Sequence, residues 1–236
     1  MKPSKPAVEM SPRELARYID QSVLKPEFSE AEIRKYIQEG IDYGCITACV
    51  NPASIPIALE LCEGTDTEVC PVMAFPFGLD STKMKVLEAR YILETWPAIK
   101  EIDFVSNYGW ARSGKWDEFY NDIKAVVDEI HKHNATTKVI FETDTLDEAQ
   151  IRKCCELAIK AKADFVKTST GFLTGFEAEG ASERVIAIML DACQGQAKIK
   201  GAACIRTREH FLKLIDMGID RMGIGFRSTP VVLGLK

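Results

Sequence analysis

Four ionisable side chains interrupt otherwise apolar, β-branched bursts of this chain: Asp103 in Glu-Ile-Asp-Phe-Val, Lys138 in Lys-Val-Ile-Phe-Glu, Lys167 in Ala-Asp-Phe-Val-Lys and Lys200 in Lys-Ile-Lys-Gly-Ala. A charge inside such a run is costly to bury unless it is paired or neutralised. Three lysines and a carboxylate gathered in one pocket point to amine chemistry, in which a lysine attacks a carbonyl to give a Schiff base and the carboxylate moves protons. Lys167 is the candidate nucleophile, because its strand runs into Thr168-Ser-Thr-Gly171, a turn-forming stop that leaves the lysine at the strand end. Taken singly, each of these positions is also met by a structural charge that snorkels or forms a salt bridge.

An ordinary lysine amine, with a pKa of about 10.4, is almost wholly protonated at neutral pH, and freeing it near pH 7 requires roughly 4.6 kcal/mol of differential stabilisation. A second ammonium about 4 Å away supplies about 4 kcal/mol at an effective dielectric near 20. Lys167 and Lys200 fall on successive bursts, and neighbouring strands run about 4.8 Å apart. Lys200 is therefore placed to activate Lys167, and Asp103 to act as general acid and base, directly or through water.

The elements that must position these residues alternate regularly. Strands are expected at Ile19–Leu24, Ile46–Val50, Val69–Ala74, Glu101–Val105, Thr137–Glu142, Asp164–Lys167, Lys198–Ala202 and Asp220–Ile224. Helical patterns fill the intervals at Ser29–Tyr43, Ala53–Cys62, Lys83–Thr95, Lys115–His133, Leu146–Lys162, Ala181–Ala192 and Thr207–Met217. Ser29 with Glu32 and Thr145 with Glu148 have capping-box spacing, and Gly40, Gly44 and Gly218 mark expected helix ends. Strict alternation implies a parallel sheet with right-handed crossovers. Eight units, with no G-x-G-x-x-G after the first strand, favour an α/β TIM (β/α)8 barrel over a doubly wound sheet. We expect one domain over residues 1–236, with residues 1–10 as a flexible tail, and function at the C-terminal strand ends.

Composition narrows the class further. A chain of 236 residues with 46% hydrophobic and 28% charged content can bury a large core, and its net charge of −5 provides no basic field for nucleic acid or an anionic membrane. No signal-peptide core or membrane-length apolar run is present, so a cytoplasmic protein is expected. The eight cysteines are dispersed without a C-x-x-C pair, and the three histidines have no zinc-site spacing, so neither a disulfide framework, a metal nor another cofactor is implied.

The chain resembles the deoxyribose-phosphate aldolase family over nearly its whole length. The resemblance rests on Ile19-Asp-Gln-Ser-Val-Leu24, Ala48-Cys-Val-Asn-Pro52, Phe75-Pro-Phe-Gly78, Glu101-Ile-Asp103, Lys138-Val-Ile-Phe-Glu-Thr143, Phe165-Val-Lys-Thr-Ser-Thr-Gly171 and Lys200–Thr207. It implies a class I aldolase on a TIM barrel that joins an acetaldehyde-type donor to a (phospho)aldehyde acceptor. It further implies that Lys167 forms the Schiff base, Lys200 favours its neutral amine and Asp103 shuttles protons. Asp20, Ser22 (a threonine in most of the family), Cys49, Lys138, Thr170 and Gly171 would line the pocket. A dimer or tetramer is the family's habit.

At the phosphate end the resemblance weakens. A family Lys-x-x-Gly-Gly pattern is here Lys200-Gly-Ala-Ala203-Cys204-Ile-Arg206, and Arg-x-Gly-x-Ser-Ser is here Arg221-Met-Gly223-Ile-Gly225-Phe226. Glycine lets backbone N–H groups approach an anion without a Cβ in the way. Ala203, Cys204 and Phe226 are thus expected to narrow the cradle and favour an unphosphorylated acceptor, while Arg206 keeps a charge nearby. Two other readings fit the same lysines and carboxylate: another Schiff-base lyase or dehydratase acting on a ketone, and a metabolite-binding barrel without turnover.

Overall fold

The computed structural model describes residues 3–235. Eight strands close into a barrel in chain order: β1 (Ile19–Val23), β2 (Thr47–Val50), β3 (Glu68–Met73), β4 (Glu101–Val105), β5 (Thr136–Ile140), β6 (Phe165–Lys167), β7 (Lys198–Ala202) and β8 (Arg221–Gly225). The pairs β1–β2, β2–β3, β4–β5, β5–β6, β6–β7 and β8–β1 are all parallel. This is the expected TIM barrel. Parallel neighbours require a crossover, and helices supply it: α2 (Glu30–Tyr43), α3 (Ile55–Cys62), α4 (Thr82–Thr95), α5 (Tyr108–Arg112), α6 (Trp116–Lys132), α7 (Glu148–Lys160), α8 (Glu183–Cys193) and α9 (Arg208–Met217), while α1 (Pro12–Ala16) precedes β1 and α10 (Thr229–Val232) follows β8.

Packing divides the chain into two compact units, one running to Val72 and resuming at Ile205, the other spanning Met73–Cys204. In the first, β8, β1 and β2 lie side by side, and Ala7 is buried with its N–H donated to Asp216 at 2.7 Å. Part of the segment 1–10, expected as a tail, is therefore docked; residues 1 and 2 lie outside the described residues. In the second, β4 to β7 are backed by helices such as α6, whose buried Phe119, Ile123, Val126, Val127 and Ile130 follow the helical repeat.

The Ser29–Glu32 capping box is formed, and Gly44 and Gly218 end α2 and α9 in the left-handed region. Two expectations are corrected. Thr145 does not cap α7; it closes a short 3-10 turn, its hydroxyl donating to the Glu142 carbonyl, and Asp147 with Gln150 forms the box instead. Gly40 lies inside α2, where a Cβ would come within 3.1 Å of the Gln21 side chain. No helix among the described residues is long and apolar enough to cross a membrane.

Candidate active site

Register brings the four strand charges together. Asp103 on β4 pairs across the ladder with Lys138 on β5, and Lys167 on β6 with Lys200 on β7. The Lys167 and Lys200 amines both donate to Oδ2 of Asp103, at 2.6 and 2.7 Å. Lys138 lies 3.2 Å from Oδ1 of Asp103 and 3.0 Å from Oε2 of Glu101. Side chains two apart on a strand share a face, which is why Glu101 joins Asp103.

These five side chains carry three positive charges and two negative ones, and none of the residues is more than 4% exposed. Burial alone would raise the Asp103 carboxyl, but the ammoniums of Lys167, Lys200 and Lys138 together hold it well below the usual range. It is thus an ionised hydrogen-bond acceptor in direct contact with two amines. The cluster holds one excess positive charge, and charge without a countercharge is expensive away from water. Lys167 is the lysine at the end of its strand, followed at once by the irregular segment Thr168–Gly171.

Thr170, a predicted substrate contact, is committed to Glu142. Its hydroxyl donates to the Glu142 carboxylate and accepts from the Phe172 N–H at 3.0 Å, and its own N–H reaches Oε1 of Glu142 at 3.2 Å. Glu142 sits just past β5 in the left-handed region, with φ of 57°. Burial pushes its carboxyl up, against the opposing effect of the Thr170 bonds. Tyr108 is likewise raised, first by burial and then by the Glu142 charge.

Ala203 and Cys204 follow β7 with φ of 66° and 60°, so they hold the left-handed backbone that glycine adopts freely, while adding side chains. The loop leaving β6 packs onto them. The Ala181 N–H donates to the Ala203 carbonyl at 3.2 Å, the Cys204 thiol to the Ala178 carbonyl at 3.3 Å, and a Cβ on Gly180 would come within 2.7 Å of that Ala203 oxygen. Gly171, with φ of 82°, is exposed in the turn after Lys167.

The remaining predicted site residues lie in the other unit. Asp20 is fully buried and accepts from Arg221 at 2.5 Å; it stands opposite Gly223 in the ladder. Ser22 stands opposite both Cys49 and Gly225. The Phe226 ring stacks on Tyr36 at 3.8 Å and meets Phe28 edge-on at 5.5 Å. Arg206 is exposed.

Three participants escaped the sequence reading. Glu101 was signalled by its spacing from Asp103. Arg221 was signalled as the first residue of the Arg-x-Gly pattern and as a charge near the start of a strand, but not as a partner of Asp20. Glu142 stood in the Lys138–Thr143 block without a role, because that role depends on a turn beyond β5, which ends at Ile140.

The family model for DeoC/LacD family aldolases matches residues 15–228. A deoxyribose-phosphate aldolase of Clostridium kluyveri is 39% identical over 214 residues, covering 91% of this chain and 95% of that protein. One from Thermococcus kodakarensis is 40% identical over 216 residues, covering 91% and 94%. Among solved structures, the aldolase QR15 superposes with a TM-score of 0.84 at 32% identity, over 94% of this chain and 95% of that one. A tetrameric deoxyribose phosphate aldolase from Aeropyrum pernix gives 0.83 at 26%, over 95% and 91%.

Proposed function

Given that the chain belongs to the DeoC/LacD aldolase family, and so is a lyase of the class I aldolase kind, we propose that Lys167 is the amine that carries its Schiff base. The observation behind this reading is the single buried carboxylate, Asp103, shared by the Lys167 and Lys200 amines. Water carries a proton away from Lys167 while Asp103 stays ionised beside Lys200; the neutral amine adds to the donor carbonyl, and loss of water leaves an iminium. The iminium withdraws electrons from the adjacent carbon. Deprotonation there gives an enamine that attacks the acceptor aldehyde, and the reverse sequence cleaves the bond. Lys200 keeps positive charge beside the reacting nitrogen, and Lys138 with Glu101 fixes the Asp103 carboxylate from its other oxygen.

The donor is an acetaldehyde-type carbonyl and the acceptor an aldehyde. The relatives named above are aldolases of deoxyribose phosphate. For this chain the acceptor is read as less charged, because Ala203 and Cys204 add Cβ atoms on left-handed backbone where glycine would leave room for an anion. Retro-aldol turnover of 2-deoxyribose 5-phosphate beside 2-deoxyribose, with Lys167→Ala as control, tests both parts. Preference for the free sugar supports the reading. Strong preference for the phosphate sinks it while leaving the aldolase intact.

A homo-oligomer is the expected assembly. It is supported by the tetrameric relative and by exposed Met84, Leu87 and Tyr91, which recur on one side of α4. Sedimentation at micromolar concentration decides it. Seven of the eight cysteines are buried thiols, in keeping with a reducing cytoplasm.

A further inference from the structure

A cavity of about 180 Å³ lies in the unit that holds the lysine cluster, where the chain leaves β3, β4, β5 and β6. Its apolar lining is Phe77, Tyr108, Phe172, Leu173 and Phe176. Phe77 and Phe176 are 61% and 45% exposed, an unusual amount of aromatic surface to leave in water around a concavity. Such a hollow, mostly apolar with a few converging polar groups, is the usual form of a small-molecule site. Its size suits a six-membered ring, since a dry apolar cavity of about 150 Å³ accommodates benzene.

The polar groups limit what the ring can carry. Glu142 and Thr170 line the cavity together, and the Thr170 hydroxyl is already engaged as donor to Glu142 and as acceptor from Phe172 N–H. The wall therefore offers the Glu142 carboxyl oxygens, which accept from a hydroxyl, beside the Arg112 guanidinium. Arg112, the one cation lining the cavity among the described residues, lies over the Phe176 ring at 5.3 Å. Thr170 and Phe172 belong to the turn that begins immediately after Lys167, so a ring held here is a close neighbour of the nucleophile along the chain.

We propose that this cavity is an acceptor subsite for the aryl or branched-alkyl end of an aldehyde, an inference that rests on the Schiff-base reading of Lys167 and names the less charged acceptor that reading calls for. The acceptor's carbonyl carbon is delivered to the enamine while its apolar end sits between Phe77, Phe172 and Phe176. The new bond joins the enamine carbon to that carbonyl carbon, the carbonyl oxygen takes up a proton to become a hydroxyl, and water then releases the product from Lys167. No oxidant or reductant is involved.

The test compares phenylacetaldehyde with glyceraldehyde as acceptors for acetaldehyde, in the wild type, Phe176→Ala and Thr174→Trp. Thr174 and Phe176 are exposed cavity residues, so both variants are expected to fold. The expected result is a fall in kcat/KM of about tenfold or more for phenylacetaldehyde in both variants, with glyceraldehyde changed by less than about twofold. A parallel loss for both acceptors, or no loss, overturns the proposal. Saturation-transfer NMR with 2-phenylethanol gives a readout free of catalysis: a signal in the wild type that is lost in Thr174→Trp supports the cavity, and no signal, or one unchanged by the substitution, removes it. Binding of 2-phenylethanol without any borohydride-trapped acetaldehyde adduct would leave the cavity standing and the role of Lys167 refuted.

Discussion

Lys200 stands directly opposite Lys167 in the β6–β7 ladder, and both amines bond the same oxygen of Asp103. Two like charges on one counterion are unequal partners. Once one proton leaves, the carboxylate serves the remaining ammonium better, so neutralising Lys167 strengthens the hold on Lys200.

Lys167→Met should therefore abolish the borohydride-trapped acetaldehyde adduct and lower turnover by roughly 10⁴-fold or more, as loss of a covalent nucleophile does. Lys200→Met should slow adduct formation by about 10²-fold, the order expected when part of a roughly 4 kcal/mol charge interaction is lost. Intact-mass spectrometry after trapping checks both. An adduct that persists in Lys167→Met would move the reactive amine elsewhere.

Asp103→Asn leaves three buried ammoniums with Glu101 as the remaining acid of the cluster. Breaking a buried pair costs about 3–5 kcal/mol, which in a chain of this size lowers Tm by roughly 6–20 °C. Adding Lys138→Met should restore part of the loss. Thermal melts of the single and double variants measure it, and a single variant as stable as the wild type would contradict the ionic cluster.

Lys85 is wholly buried, donating to Asp122 Oδ2 at 2.7 Å and to the Val105 carbonyl at 3.1 Å. Lys85→Met alone should destabilise by about 3–5 kcal/mol, whereas Lys85→Met with Asp122→Leu should lie closer to the wild type. Urea unfolding of the four species of the cycle tests the coupling, which must be absent if the two substitutions simply add.

Arg90 grips Glu129 through two bonds, at 2.7 and 3.1 Å, and with help from Lys132 holds its carboxyl down at about 2 against an ordinary 4.5. A depressed acid contributes stability that is complete above its unfolded value and fades as pH falls toward its folded value. The stability gap between wild type and Glu129→Gln should thus be constant above about pH 5 and shrink steadily below it. A gap independent of pH from 3 to 7 would mean that packing, not charge, is what the substitution removes.

Ala203→Gly and Cys204→Gly should relieve left-handed backbone costing about 1–2 kcal/mol per residue, less about 0.4–1 kcal/mol for the looser unfolded chain. Stability should hold or rise slightly. With both Cβ atoms gone, the ratio of kcat/KM for 2-deoxyribose 5-phosphate over 2-deoxyribose should increase by about tenfold, the scale of one recovered anion contact. An unchanged ratio would place the determinant at Phe226 instead.

The charged cluster was legible because charges within apolar bursts stand out and a strand's period of two assigns them a common face. The barrel followed from the same bursts. What stayed hidden depended on contacts between distant positions or on turns. Lys85 and Asp122 look like ordinary polar helix residues until α4 and α6 are packed together. The helix Tyr108–Arg112 is too short to show periodicity. The strand expected through Glu142 stops at Ile140, because residues 143–145 fold into a 3-10 turn. Phe226 could be recognised as unusual, but nothing in its neighbours foretold a partner in Tyr36, 190 positions earlier by their numbers.

The two compact units differ in how the gene spells them: the one bearing the lysines is a single run from Met73 to Cys204, while the other is written in two pieces. A ribosome therefore releases every residue of the lysine-bearing unit before it has made β8, the strand on which β1 must pair. Domains tend to fold as units during synthesis. β1 finds β2 early but its other edge must wait for β8, and a chain truncated after Cys204 should already protect Lys167 and Lys200 while that edge of β1 is still open to protease.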